Sequence, residues 1–270
     1  MTETPPDGAG GRVAIGIDVG GSGIKAAVVN VDSGQFVSER LRVVTPIPAT
    51  PQAVITSIGR LVRRLAKASA LDSAAPVGVG LPGVTMDQTL MSAANIDPTW
   101  VGFPVIERLR KVTGRPVSIV NDADAAGIAE MRFGVGRGRR GVVIFLTLGT
   151  GLGSGVFIDG ILVPNTEFGQ MEIRGRPAER RSSAVARTRR GLSWKAWAQD
   201  LDEHLHRIDD LLSPTLMILG GGVSKRSDRF MPFLTLRCPV VPAQLLNDAG
   251  IVGAAIVAIE GAPGVSPGPG

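Results

Sequence analysis

One pattern occurs twice in this chain. Val13 to Val19 is an apolar run that ends on Gly20-Gly21-Ser22-Gly23, and Ile24 to Val31 follows as a second apolar run. Val142 to Leu148 does the same, ending on Gly149-Thr150-Gly151-Leu152-Gly153-Ser154-Gly155 before Val156-Phe157-Ile158. In both places β-rich sequence follows the glycines. The pattern is therefore strand, glycine–hydroxyl turn, strand, whereas a Rossmann or P-loop glycine run opens a helix. Two copies, one in each half, point to an internal duplication with two turns facing one cleft. Glycines without Cβ atoms let backbone N–H groups gather around an anion, so each turn suits phosphate. Either turn alone is equally well a plain hairpin.

The flanking residues sharpen the phosphate reading. Lys25 adds a cation beside the first turn. Asp18 would repel a phosphate unless a cation lay between them, which suggests Mg²⁺. Between the two hairpins, Pro116 to Val120 reads as a buried strand running into Asn121-Asp122, and Ala123 to Met131 reads as a helix. A carboxylate at a strand end beside a helix N-terminus is held in place, and the dipole and nearby amides are expected to keep it ionised. Asp122 is then placed as a general base for a substrate hydroxyl. The plain alternative is an Asx turn with Asp122 as the N-cap.

The remaining segments set the class. Apolar residues at Val54, Ile55, Ile58, Leu61, Val62 and Leu65 predict a helix over 51–68, and another is predicted over 104–113, closed by Gly114. Gln35 to Val44 reads as a third strand. Thr215 to Leu219 reads as a buried strand ending in Gly220-Gly221-Gly222, from which a helix should run to about Leu236. Alternating strands and helices give an α/β fold. The predicted division is a small N-terminal domain over 12–118 and a larger C-terminal one over 119–262, with disordered tails at 1–11 and 263–270. A single cysteine, Cys238, excludes a disulfide framework and a cysteine-built zinc site. His204 and His206, two apart on a predicted helix over 193–212, read as exposed. No signal peptide or apolar run of membrane-spanning length is seen, so a cytoplasmic protein without a membrane partner is expected. The formal net charge of +5 favours an anionic partner. Positive charge concentrates in 174–195, with eight Arg or Lys residues and one acid, Glu179. That segment is either a basic, mobile surface loop or a track for an extended polyanion, with Arg187, Arg189 and Arg190 at its centre.

In order along the chain come Ile17-Asp18-Val19-Gly20-Gly21-Ser22-Gly23-Ile24-Lys25, Asn121-Asp122-Ala123-Asp124, Leu146-Thr147-Leu148-Gly149-Thr150-Gly151-Leu152-Gly153-Ser154, Pro164-Asn165-Thr166-Glu167-Phe168-Gly169 and Leu219-Gly220-Gly221-Gly222-Val223-Ser224. Over roughly 12–260 the chain resembles the polyphosphate glucokinases, a branch of the ROK (repressor, ORF, kinase) sugar kinases. The resemblance implies the actin-like, ribonuclease-H-like ATPase fold with a sugar in the interdomain cleft. It implies Asp122 as the base for the glucose 6-hydroxyl, with Asn95, Asn121, Glu167, Gln170 and Glu179 holding the sugar. It places the phosphates of polyphosphate or ATP on Asp18 with Mg²⁺, Gly20, Gly21, Ser22, Lys25, Thr147, Gly149, Thr150 and Gly151. Gly220, Gly221 and Gly222 would lie by adenosine, and a homodimer is implied. Two residues depart from the family pattern. Gln170 stands where a histidine is usual, and Glu179-Arg180-Arg181 where a Glu-Glu-Arg-like segment occurs. Depending on register, the sugar-binding acid there is Glu179 or is replaced by Arg180. Three other readings belong beside this one: an ATP-only hexokinase, a degenerate sugar or polyphosphate binder, and a DNA-binding repressor. The last needs a helix-turn-helix ahead of the kinase fold. Only about a dozen residues precede the first strand, so no nucleic-acid partner is expected.

Overall fold

The computed structural model describes residues 11–86, 89–92 and 96–261. The first half contains β1 (Val13–Gly20), β2 (Gly23–Asn30), β3 (Gln35–Phe36), β4 (Leu41–Val43), α1 (Pro51–Ala68), β5 (Val77–Leu81), β6 (Thr85–Met86), β7 (Thr89–Leu90), α2 (Val105–Thr113) and β8 (Val117–Asn121). The second half begins with α3 (Asp122–Phe133), β9 (Val142–Leu148), β10 (Leu152–Ile158), β11 (Ile161–Val163), β12 (Glu172–Ile173) and β13 (Arg176–Pro177). It ends with α4 (Glu179–Ser182), α5 (Ala184–Arg189), α6 (Trp194–Leu212), β14 (Leu216–Gly220), β15 (Val240–Pro242) and α7 (Ala249–Glu260).

The duplication is visible in the sheets. The first runs β3-β2-β1-β5-β8 with β4 also on β2, and the second runs β11-β10-β9-β14-β15. In each, a hairpin with a glycine turn supplies antiparallel strands, and two parallel strands extend the sheet from its first arm. Parallel neighbours need crossover connections, which α1, α2 and α6 provide. Helices α1 and α2 cover the outer face of the first sheet, and α6 covers the outer face of the second. Helices α3 and α7 lie between the two inner faces in one shared core. The chain is thus an actin-like pair of mixed α/β sheets.

Local chemistry explains the elements. Pro51 opens α1, where its missing N–H costs nothing, and the buried face follows the expected 3.6-residue spacing. Gly114 closes α2 at φ 66°, a left-handed cap that suits glycine. Helix α7 lies very close to its neighbours. A Cβ on Gly16 of β1 would sit 1.9 Å from the Ile251 carbonyl oxygen, and one on Gly78 of β5 would sit 1.8 Å from that of Ala254. Only glycine at both strand positions lets the α7 backbone lie against the sheet.

Two expectations need correction. The third strand, expected over 35–44, is two short strands, because Val28 N–H donates to Ser38 Oγ at 2.9 Å where the ladder would have continued. The helix expected after Gly222 is a pair of 3₁₀ segments, Gly222–Arg229 and Met231–Phe233. Pro232 lacks the N–H that a continuing helix would use. The sequence-based division at 118/119 falls inside β8, which stays paired with β5 as far as Asn121. The tails 1–10 and 262–270, and Asn95, lie outside the described residues.

Candidate active site

Both glycine turns reach the same cavity, about 260 Å³ in volume, at the carboxyl ends of β1, β5, β8 and β9. They face one another closely: a Cβ on Gly21 would sit 3.6 Å from Thr150 Oγ1. The carbonyls of the first turn are tied outward. Thr45 Oγ1 donates to Gly20 O at 2.6 Å, and Arg42 Nη2 donates to Ser22 O at 3.0 Å. The second turn is braced by Gly153 N–H on Thr147 Oγ1 at 3.2 Å and by Val185 N–H on Gly149 O at 3.2 Å. A Cβ on Gly149 or Gly222 would meet nothing within 4 Å, so these glycines border open space. Gly221, at φ 82°, presses on Leu148 and lines the cavity, whereas Gly220 packs against Phe145.

Asp18 and Asp122 enter this cavity from the ends of β1 and β8, with β5 between them. Lys25 Nζ lies 2.8 Å from Asp18 Oδ2, and both are largely shielded. Asn121, not Asp122, caps α3: its Oδ1 accepts from Ala123 N at 2.8 Å and Asp124 N at 3.0 Å. Its Nδ2 donates to Gly83 O at 3.1 Å. Both ends of the Asn121 amide are therefore engaged by the protein, at the rim of the cavity. Asp122 is the first helical residue, and its Oδ1 accepts from Ala123 N at 2.9 Å. The expectation that the helix terminus keeps it readily ionised is corrected. Burial, then the charge of Asp18, push its carboxyl up to about 7, and the Ala123 hydrogen bond only partly opposes them. A base titrating near neutrality is well matched to proton abstraction.

Glu167 and Glu179 complete the wall. Burial and the neighbouring Glu179 raise the Glu167 carboxyl. Glu179 accepts from Leu152 N at 3.0 Å and from Gln170 Nε2 at 3.2 Å. Glu179 lines the cavity, while Arg180 is exposed outside it. Gln170 is itself exposed and meets the site through Glu179.

Two residues carry a connection that sequence reasoning missed. The Asn165 side chain accepts from Thr85 N–H and donates to Thr85 O, both at 2.8 Å, fastening the β6–β7 flap to the second half. Asn165 N–H donates to Asp124 Oδ2 at 2.9 Å. Asp124 is buried, its Oδ1 has no partner among the described residues, and burial pushes its carboxyl up to about 7. The one available signal was local: Asn165 sits at φ 61°, a conformation asparagine tolerates, directly after Pro164.

Residues 14–172 match the ROK family. The chain belongs to the ROK family. It is similar to the polyphosphate glucokinase of Mycobacterium tuberculosis (strain CDC 1551 / Oshkosh), with 41% identity over 96% of each chain. Among solved structures, it resembles the inorganic polyphosphate/ATP-glucomannokinase from Arthrobacter sp. strain KM, at 48% identity and TM-score 0.88, covering 90% of this chain and 97% of that one. It also resembles a ROK family glucokinase from Streptomyces griseus in complex with glucose and AMPPNP, at 28% identity and TM-score 0.79, covering 91% and 99%.

The histidine and arginine readings of this ROK chain change with the structure in hand. His204 is buried, not exposed. Its Nε2 donates to Phe168 O at 3.0 Å and its Nδ1 lies 2.9 Å from Ser182 Oγ. Burial lowers its pKa, so it is a neutral strut beneath the turn that carries Glu167. The basic segment folds into α4 and α5, and several of its cations are engaged. Arg190 pairs with Asp200 at 2.6 Å, and Arg174 with Glu203 at 2.8 Å. Arg187 stacks 4.0 Å over Trp194, and Arg189 donates to Arg180 O at 3.2 Å.

Proposed function

We propose that this chain transfers a phosphoryl group from inorganic polyphosphate, and from ATP, to the 6-hydroxyl of glucose. One observation carries the reading: the Asp122 carboxylate opens into a cavity walled by two glycine turns that face each other. Phosphoryl transfer needs in-line positioning and charge stabilisation more than covalent chemistry. Asp122 takes the proton of the attacking hydroxyl. Glu167, Glu179 and the one remaining Nδ2 hydrogen of Asn121 hold the remaining sugar hydroxyls. The amides of the first turn, Gly20, Gly21 and Ser22, and those of Thr150 and Gly151 in the second, together with Lys25, receive the transferring and leaving phosphates, while Gly149 N–H holds the second turn closed on Gly151 O at 3.0 Å. Gly221 and Gly222 leave room for adenosine when ATP is the donor.

The cavity suits Mg²⁺. No group of three or more His, Cys, Asp or Glu among the described residues is arranged to hold an ion alone. Asp18 instead offers a single carboxylate beside open phosphate turns, the usual setting for an ion shared with substrate phosphates and waters. When bound there, the ion neutralises charge on the donor phosphates. A cytoplasmic homodimer is part of the proposal. No described helix is long and apolar enough to cross a membrane.

The test is hexose 6-phosphate formation from glucose and from mannose, with long-chain polyphosphate and with ATP in parallel. Product with glucose and both donors is expected. Absence of product with either donor refutes the proposal.

A further inference from the structure

The structure assigns Arg42 to the path by which a polyphosphate chain leaves the cleft. This inference rests on the polyphosphate reading above. Register defines a row across the first sheet: Asp18 of β1 lies opposite Lys25 of β2, and Lys25 lies opposite Arg42 of β4. Direct cross-strand partners share a face, with side chains about 5 Å apart. Asp18 and Lys25 face the cavity, so Arg42 continues the same face to the sheet edge. Its guanidinium lies over Gly23, where a Cβ would come within 2.7 Å of Nε. Nη2 is anchored on Ser22 O. The other N–H groups of this five-donor fork have no partner among the described residues, and Arg42 is exposed.

Many of the surrounding cations are already engaged. Arg40, on the same strand approach, is paired with Asp248 at 2.6 Å. In the 174–195 segment, Arg174, Arg181 and Arg190 are paired with carboxylates on α6, and Arg187 is stacked on Trp194. Arg42 has no carboxylate partner among the described residues and adjoins the first phosphate turn. ATP has no need of it: Gly221 and Gly222 open on the opposite side of the cleft, in the second half. A linear polyanion bound at the first turn would extend over Lys25 to Arg42, where a fork of charge-assisted donors is in place.

The test compares Arg42→Gln, Arg42→Lys and the triple change of Arg187, Arg189 and Arg190 to Gln. Turnover is measured with long-chain polyphosphate and with ATP, over a range of salt, beside equilibrium binding of long-chain polyphosphate. Gln removes the charge, and its amide nitrogen ends well short of the Nη2 that donates to Ser22 O, so turnover with ATP reports any loosening of the turn. The expected result is a rise of about three- to tenfold in KM and Kd for long polyphosphate. The salt dependence should become shallower by about one contact. KM for ATP should stay within about twofold, and Arg42→Lys should recover most of the loss. Equal loss with both donors would make Arg42 only a brace for the turn and overturn the assignment. So would an unchanged Arg42→Gln enzyme, or a polyphosphate-selective loss confined to the triple variant. A native chain that turns over ATP but neither binds nor uses polyphosphate would refute the donor reading itself, and this path with it.

Discussion

Replacing Asp122 by Asn should make this kinase more stable and nearly inactive. The change preserves shape, and the amide oxygen of Asn can still accept from Ala123 N, as Asp122 Oδ1 does at 2.9 Å. It removes the acceptor of the hydroxyl proton, so kcat should fall about 10²- to 10⁴-fold, or roughly 3–5 kcal/mol of barrier. KM for glucose should stay within about threefold, because the lost interaction belongs to the transition state. Stability moves the other way. The carboxyl is raised from 3.8 to about 7, chiefly by burial. At about 1.4 kcal/mol per unit, the ionised side chain costs the ligand-free fold at most about 4 kcal/mol at pH 8. Relaxation and partial exposure should leave about 1–2 kcal/mol, which is a few degrees in Tm. The gain should shrink at pH 5, where the folded carboxyl is protonated. Thermal unfolding of the metal-free, ligand-free protein at both pH values, beside steady-state kinetics with ATP, reads all three quantities. Near-native kcat would refute the role of base. A Tm at pH 8 well below that of the native protein would refute the electrostatic account.

Gly149→Val should fold normally, because a Cβ there meets nothing within 4 Å, yet it should lower turnover with ATP and polyphosphate alike by more than about tenfold. Full activity with both donors would leave the second turn merely structural. Asn165→Ala should raise KM for glucose by about three- to tenfold with a smaller change in kcat, since it frees the flap held through Thr85, at a stability cost of about 1–2 kcal/mol. A loss of kcat alone would count against a positioning role. Asp122 and Asp124 both titrate near 7 in the fold and near 4 when unfolded. The folded state therefore binds more protons between those values, and stability is complete below about pH 4 on this account and is lost as pH rises through 7. Tm of the metal-free chain should fall from pH 6 to pH 8, and Asp124→Asn should flatten that slope. A rise in Tm over the same interval would contradict the assignment.

Much of the architecture was legible because its signals are local. A glycine turn between apolar runs specifies a hairpin wherever it occurs, and two such hairpins implied the paired sheets. Helix α1 was readable to its ends because Pro51 fixes the start and the apolar spacing fixes the face. The remaining features depend on partners far away in sequence. Asn165 meets Thr85 across eighty positions. The arginines of 174–195 looked free because Asp200 and Glu203 lie on α6, outside the basic stretch. His204 looked exposed among charged neighbours, although it shares the buried face of α6 with Trp197, Leu201, Leu205 and Ile208. Spacing alone would have placed it inward.

The distribution of charge in the cleft explains how one cavity seats two unlike substrates. Among the described residues lining it, Asp18, Asp122, Glu167 and Glu179 are acidic, and Lys25 is the sole cation. An acidic cavity is a poor general receptor for polyphosphate. The carboxylates are not spread evenly, however. Glu167 and Glu179 stand on the second half beyond Asp122, and each offers acceptors to hydroxyl groups, which a neutral sugar supplies in number. The first glycine turn and Lys25 stand on the first half and offer N–H and ammonium donors, which suit phosphate oxygens, while the second turn adjoins Glu179 through Leu152 N–H at 3.0 Å. Asp18 falls within the donor side, where its charge repels phosphate unless Lys25 and a divalent cation offset it. Asp122 lies at the boundary, feels Asp18 and Glu167, and is raised to about 7 by burial and those neighbours. Its position allows it to accept a proton from one substrate while the other is held by amides that cannot compete for it.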